Sequence, residues 1–148
     1  MFMEYIGNKE LLNLPKTAFL ASSTIPTDMV LKCYDWATGK HEGCVVSGFS
    51  SKLEKDVLHF LLKNNCHVIL VLARQIYKKI PQELQSLIDK KQLLIVSTSS
   101  ASRQSKATAQ IRNRYICEMS DRIILIVATE NSSLFDLQQK YSEKLYNL

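Results

Sequence analysis

The sequence is poor in glycine and proline and has no long hydrophobic run. Only 4 of its 148 residues are glycine and 3 are proline, while charged residues make up 22%, so the chain is neither fibrous nor disordered. The longest apolar stretches, such as Val68–Ala73 and Ile123–Ala128, are too short to cross a bilayer. The first ten residues contain two glutamates and no apolar stretch of signal-peptide length. We therefore expect a cytoplasmic protein with no membrane partner.

The sequence also lacks the residue spacings of disulfide frameworks, metal centres and common active sites. The four cysteines lie far apart without a C-x-x-C pair, which predicts reduced core residues. The three histidines have no ligand spacing, so we predict no metal. The motifs G-x-G-x-x-G, the P-loop and G-x-S-x-G are all missing. We therefore predict no cofactor and no catalytic residue, and we expect a binding module rather than an enzyme.

Short apolar segments alternate with helical segments along nearly the whole chain. The predicted strands are Thr17–Ser22, Cys44–Ser47, His67–Ala73, Leu93–Ser97 and Arg122–Thr129. The predicted helices cover about Pro26–Ala37, Lys52–Asn64, Pro81–Lys90, Lys106–Met119 and Ser132–Tyr146. Uniformly apolar strands between helices are typical of a parallel sheet buried on both faces. The sequence predicts a single α/β domain over residues 1–148, a doubly wound, mostly parallel five-stranded sheet of Rossmann-like type. The first dozen residues fit either a strand-like arm or an extra helical turn.

Hydroxyl-rich segments follow four of the predicted strands, at residues 21–24, 47–51, 97–105 and 129–133. Ligands of open α/β sheets bind beyond the carboxyl ends of the strands, and hydroxyl groups can donate to phosphate oxygens. The net charge is +5, and basic residues are concentrated between Arg103 and Arg122. This basic region is either a phosphate-facing patch or a solvated surface. Gly48, in the second segment, allows either a tight turn or the close approach of a ligand phosphate.

The motif Arg112-Asn113-Arg114 lies in the predicted helix of residues 106–119. Arginine forks and free backbone N–H groups in a first helical turn can together hold a phosphate. The two arginines are about 200° apart around a helix axis, so one regular turn cannot point both the same way. Either the helix begins between them, or one arginine reaches a ligand while the other braces Glu118 or Asp121.

These segments, in this order, resemble the DprA/Smf family of bacterial DNA-processing proteins from Thr17 to about Lys140. The family's GSR, SGxARGID, FPxRNR and SGSL motifs correspond to residues 21–23, 47–54, 109–114 and 131–134. Several family residues differ here: serine replaces the arginines of GSR and ARGID at Ser23 and Ser51, and Lys52 and Val127 replace a glycine and a strand glutamate. Only Arg112-Asn113-Arg114 keeps its family residues intact.

The resemblance implies a binding module for single-stranded DNA or another phosphate-bearing ligand, with a role in DNA uptake or recombination. It also implies a homodimer formed through the sheet edge. The predicted phosphate-binding residues are Ser22, Ser23, Ser47, Gly48, Ser50, Lys52, Arg112, Asn113, Arg114, Ser132 and Ser133. Base stacking is expected to contribute little, because few aromatic residues flank them. Two alternatives stay open: a nucleotide-sensing or nucleotide-processing protein, and a degenerate scaffold that binds another protein.

Overall fold

Strands and helices alternate in the computed structural model, which describes residues 2–127 and 134–148. The strands are β1 (Glu4–Gly7), β2 (Lys16–Ala21), β3 (Cys44–Ser47), β4 (His67–Leu72), β5 (Leu93–Ser97) and β6 (Arg122–Ile126). The helices are α1 (Thr27–Thr38), α2 (Lys52–Lys63), α3 (Gln82–Asp89), α4 (Lys106–Met119) and α5 (Phe135–Lys140). Short 3-10 turns cover Lys9–Asn13 and Ser142–Lys144.

The strands form one six-stranded sheet in the order β1-β5-β4-β3-β2-β6. Strands β2 to β6 run parallel, and β1 pairs antiparallel with β5, with Tyr5 opposite Val96. The predicted Rossmann-like α/β class is confirmed, with six strands instead of five. The first residues supply both features that the sequence left open, the strand β1 and a 3-10 turn. The four residues of β1 are too few to show the two-residue period of a strand, so its identity as a strand rests on its pairing with β5.

The sheet separates two hydrophobic layers. Helices α1, α2 and α3 pack on one face, whereas α4, α5 and the first 3-10 turn pack on the other. Strands β3 and β5 are buried at every residue, which explains why their sequences are apolar up to the serine that ends each strand. The four cysteines are buried and unpaired, and burial raises the pKa of the Cys117 thiol to about 12. No helix of the described segments is long and apolar enough to cross a membrane.

The C-terminal segment differs from its prediction. A single helix was expected over Ser132–Tyr146, but α5 ends at Lys140 and a 3-10 turn follows. The chain then folds back, so that the Tyr146 N–H donates to the Ile123 carbonyl at 2.9 Å. Contact with β6 therefore overrides the local helical pattern.

Candidate functional site

The turn between β3 and α2 lies at the carboxyl edge of the sheet and is tightly bonded. Ser47 is fully buried, and its hydroxyl accepts the Phe49 N–H at 3.0 Å. Phe49 has a φ of 46°, in the left-handed region that aromatic residues rarely adopt. Ser51 then caps the start of α2 in a capping box: its side chain accepts the Glu54 N–H at 3.3 Å, and the Glu54 carboxylate accepts the Ser51 N–H.

The Glu54 side chain is 4% exposed and joins the ends of β2 and β3. Its carboxylate accepts the N–H groups of Ala21 at 2.9 Å, Ser50 at 2.9 Å and Ser51 at 3.2 Å. These charge-assisted bonds satisfy a buried anion that would otherwise be costly. They also occupy the N–H groups of Ser50 and Ser51, which directly precede α2.

Arg112, on α4, covers Gly48. The arginine is 5% exposed, and a Cβ atom at position 48 would lie 2.7 Å from its Cζ. Its Nε donates to Asn113 Oδ1 at 3.1 Å, and its Nη1 donates to Gln104 Oε1 at 3.1 Å. Gly48 therefore makes room for a guanidinium group.

The Arg112 guanidinium is buried without a direct counter-ion. Both of its acceptors in the described residues are neutral amide oxygens, and no carboxylate there lies within 4.0 Å of it. Burial lowers the pKa of Arg112, and the charge of Glu54 opposes that shift from a longer distance. A bound anion would offset the cost of burying this positive charge, so the arrangement is suited to a phosphate.

Arg114 lies apart from Gly48 on the exposed side of α4. The helix does not begin between the two arginines, since α4 runs through both from Lys106. Neither Glu118 nor Asp121 forms an ion pair with an arginine of the described residues. Glu118 Oε1 instead accepts the Tyr141 hydroxyl at 3.0 Å, and Asp121 Oδ2 accepts the Lys16 N–H at 2.8 Å. Arg114 forms no ion pair with any carboxylate in the described part of the chain.

The other predicted residues near the turn differ in position and exposure. The Ser22 N–H donates to the Ile126 carbonyl at 2.9 Å, which places Ser22 between the ends of β2 and β6. Ser23 and Ser50 are exposed at the same edge. The Lys52 side chain is 86% exposed and pairs with Asp56 at 3.2 Å. Two further predicted residues, Ser132 and Ser133, lie outside the described residues.

A second arginine at this edge was missed. Arg74 follows β4, and its Nε is buried with no hydrogen-bond partner among the residues described. Its guanidinium carbon lies 5.5 Å from the centroid of the Tyr77 ring, a cation–π contact. The Arg74 carbonyl accepts the Ser97 hydroxyl at 2.6 Å, which ties it to β5. The carboxyl-end rule could have identified Arg74, because it comes directly after an apolar strand.

Solved structures share this fold. DNA processing protein A (DprA) from Streptococcus pneumoniae matches over 98% of this chain and 54% of its own, with a TM-score of 0.76 and 22% identity. DNA processing protein A from Helicobacter pylori, whose structure was described for a unique single-stranded DNA binding mode, matches with a TM-score of 0.74 and 21% identity. That match covers 98% of this chain and 70% of the relative. The chain thus spans about half the length of the first of these relatives.

Sequence comparison gives the family. No curated protein matches this chain. The family model for DNA recombination-mediator protein A, in contrast, matches residues 1–139, nearly the whole sequence. This chain therefore belongs to the DNA recombination-mediator protein A family.

Proposed function

We propose that this chain binds single-stranded DNA through its phosphate backbone, at the carboxyl edge of the sheet around Gly48 and Arg112. Membership of the family supports a DNA-processing role, and the Helicobacter pylori relative is described as binding single-stranded DNA. The observation that carries the proposal is the buried Arg112 guanidinium, whose acceptors among the described residues are neutral. A phosphate would supply the missing negative charge.

The proposed site combines one buried arginine with hydroxyl groups at the strand ends. Arg112 would bind a phosphate, while Asn113 and Gln104 hold the guanidinium group in place. The hydroxyls of Ser22 and Ser50 would donate to neighbouring phosphate oxygens. The remaining predicted residues are Ser23, Ser47 and Lys52 at this edge, together with Ser132 and Ser133, which lie outside the described residues. Arg74, one strand further along the sheet, adds positive charge at the same edge.

The proposed activity is the binding of DNA without catalysis of a reaction. Its proposed role is in DNA uptake or recombination in the cytoplasm. The Glu54 carboxylate is occupied by three backbone N–H groups, so it is poorly placed to act as a base. The loss of two family arginines at Ser23 and Ser51 leaves Arg112 as the main cation of the turn. We also propose that the chain forms homodimers through an outer strand of the sheet.

The Arg112→Gln variant tests the site. We expect it to weaken binding of a fluorescent oligo-dT strand by about tenfold or more at low salt, because a charge-assisted hydrogen bond contributes about 1.5–3 kcal/mol. Fluorescence anisotropy measures the affinity. Arg122→Gln is the matched control, since it removes one exposed arginine at the amino end of β6 and should bind as the wild type does.

Separate controls test whether the variants are folded and which type of ligand the site binds. Arg112→Lys keeps the charge but loses the planar fork, so we expect an intermediate affinity. Circular dichroism and thermal unfolding show whether each variant is folded. Equal affinities of a folded Arg112→Gln variant and the wild type would contradict the site. Competition by mononucleotides as strong as by oligo-dT would favour a nucleotide-binding function instead.

A further inference from the structure

A groove runs along the outer side of α4, away from Gly48. We call it the α4 groove, and its volume is about 460 Å³. The residues that line it are Phe2, Thr98, Ile111, Arg114, Tyr115, Glu118 and Lys140. The four that come from α4 have the i, i+3, i+4, i+7 spacing of one helical face. The groove is thus a continuous surface of α4, bordered by the N-terminal segment and by α5.

Two cations on this groove lack ion-pair partners in the described residues. Arg114 and Lys140 line the α4 groove and also a neighbouring cleft of about 280 Å³, so they lie between the two. The acidic residues nearby are Glu118 and Asp136, and neither comes within 4.0 Å of these cations. Glu118 instead accepts the Tyr141 hydroxyl at 3.0 Å. The two positive charges are therefore available to an anionic ligand.

The same groove contains exposed apolar side chains that the fold does not require. Phe2 and Ile111 are 40% and 39% exposed, and they are two of only four large hydrophobic residues exposed in the described part of the chain. Tyr115 is half-buried beside them, and its phenol is neutral at physiological pH, as that of an ordinary tyrosine is. Neutral aromatic and apolar surfaces beside cations suit nucleobases attached to phosphates.

We propose that the α4 groove binds the continuation of the DNA strand held at Arg112, with phosphates at Arg114 and Lys140 and bases against Phe2, Ile111 and Tyr115. This inference rests on the proposed function. Arg112 and Arg114 are two residues apart on opposite sides of α4, and a helix with its side chains is about 10 Å across. A strand leaving Arg112 therefore needs only to pass around α4. The ligand is single-stranded, because paired and stacked bases cannot present their faces to these side chains.

The length of the DNA strand distinguishes binding at the Arg112 site from binding at the α4 groove. We expect dT4 to occupy the Arg112 site alone and dT12 to reach the α4 groove. The double variant Arg114→Gln/Lys140→Gln should bind dT12 about tenfold more weakly and dT4 as the wild type does. The slope of log affinity against log salt for dT12 should fall by roughly 1.4, because each lost phosphate contact on a single strand contributes about 0.7. The matched control is Lys63→Gln/Lys90→Gln, which removes two exposed lysines at the far ends of α2 and α3.

A second measurement tests the base contacts without changing charge. In Phe2→Ser, 2-aminopurine placed near the end of bound dT12 should fluoresce more strongly than in the wild type, because unstacking relieves its quenching. The inference is overturned if the double variant binds dT12 like the wild type, or weakens dT4 and dT12 equally. If Arg112→Gln has no effect on either strand, the proposed function itself is wrong. If Arg112→Gln weakens both strands and the double variant weakens neither, only the α4 groove is excluded.

Discussion

Gly48 and Arg112 are separated by 64 positions in the sequence but occupy one space. The backbone at Gly48 is not left-handed, and the residue with positive φ in this turn is Phe49. The glycine is therefore needed for the room it leaves beside its Cα, where the arginine lies. The sequence suggested a tight turn or an approaching phosphate, whereas the approaching group is a side chain from α4.

The Gly48→Ala variant tests this contact. The added methyl group would lie 2.7 Å from Arg112 Cζ, so the guanidinium must move away from Asn113 and Gln104. We expect oligo-dT binding to fall several-fold and stability to fall by about 1–3 kcal/mol, the usual range for overpacking. Anisotropy and urea unfolding measure the two effects. Gly39→Ala is the control, because a Cβ there would make only ordinary contacts. Unchanged DNA affinity in Gly48→Ala would show that the position of Arg112 does not determine binding.

At the scale of elements, the start of α2 is capped by its own side chains. Ser51 accepts the Glu54 N–H, and Glu54 accepts the N–H groups of Ser50 and Ser51. This arrangement stabilises the helix and occupies the N–H groups of Ser50, Ser51 and Glu54.

The Ser51→Ala variant should separate stability from binding. Loss of the cap is expected to lower the free energy of unfolding by about 1 kcal/mol. DNA affinity should stay within about twofold of the wild type. Urea denaturation and anisotropy provide the two values, and Ser86→Ala, at an exposed position in α3, is the control. A tenfold loss of affinity in a folded Ser51→Ala protein would indicate that the ligand contacts this helix start directly.

Helix α4 shows what periodicity could predict about the site. Its bounds agree with the sequence prediction, and its buried residues are Arg112, Asn113, Ile116 and Cys117. Arg112 lies four residues before Ile116, so the helical period places it on the stripe that faces the sheet. That signal could have identified Arg112 as the inward arginine and Arg114 as the outward one. The partners Gln104 and Gly48 could not be found this way, because they lie outside the helix.

At the scale of the whole molecule, the two outer strands are unequal. β1 has only four residues, whereas β6 pairs with β2 over its full length and has no strand on its other side among the described residues. The C-terminal segment bonds to β6 near its start, where the Ile123 carbonyl accepts the Tyr146 N–H. The proposed homodimer would pair the rest of that edge with a second chain.

Self-association therefore has a direct test. We expect sedimentation equilibrium at micromolar concentrations to give a mass between one and two chains that rises to two with concentration, because the proposed homodimer pairs an outer strand of one copy with another copy. Repeating the measurement with bound oligo-dT shows whether the DNA site and the sheet edge are independent. A single-chain mass across the whole concentration range would contradict the homodimer.

The sequence by itself determined the parallel core of this protein and the basic motif on α4. Its apolar runs are local patterns, and strands such as Cys44–Ser47 and Leu93–Ser97 begin and end where those patterns predict. Only the tertiary structure decided the pairing of β1, the return of the C-terminal segment to β6, and the burial of Arg112 over Gly48. Each of these depends on contacts between residues far apart in the chain, and a local pattern carries no information about which distant residue will meet it.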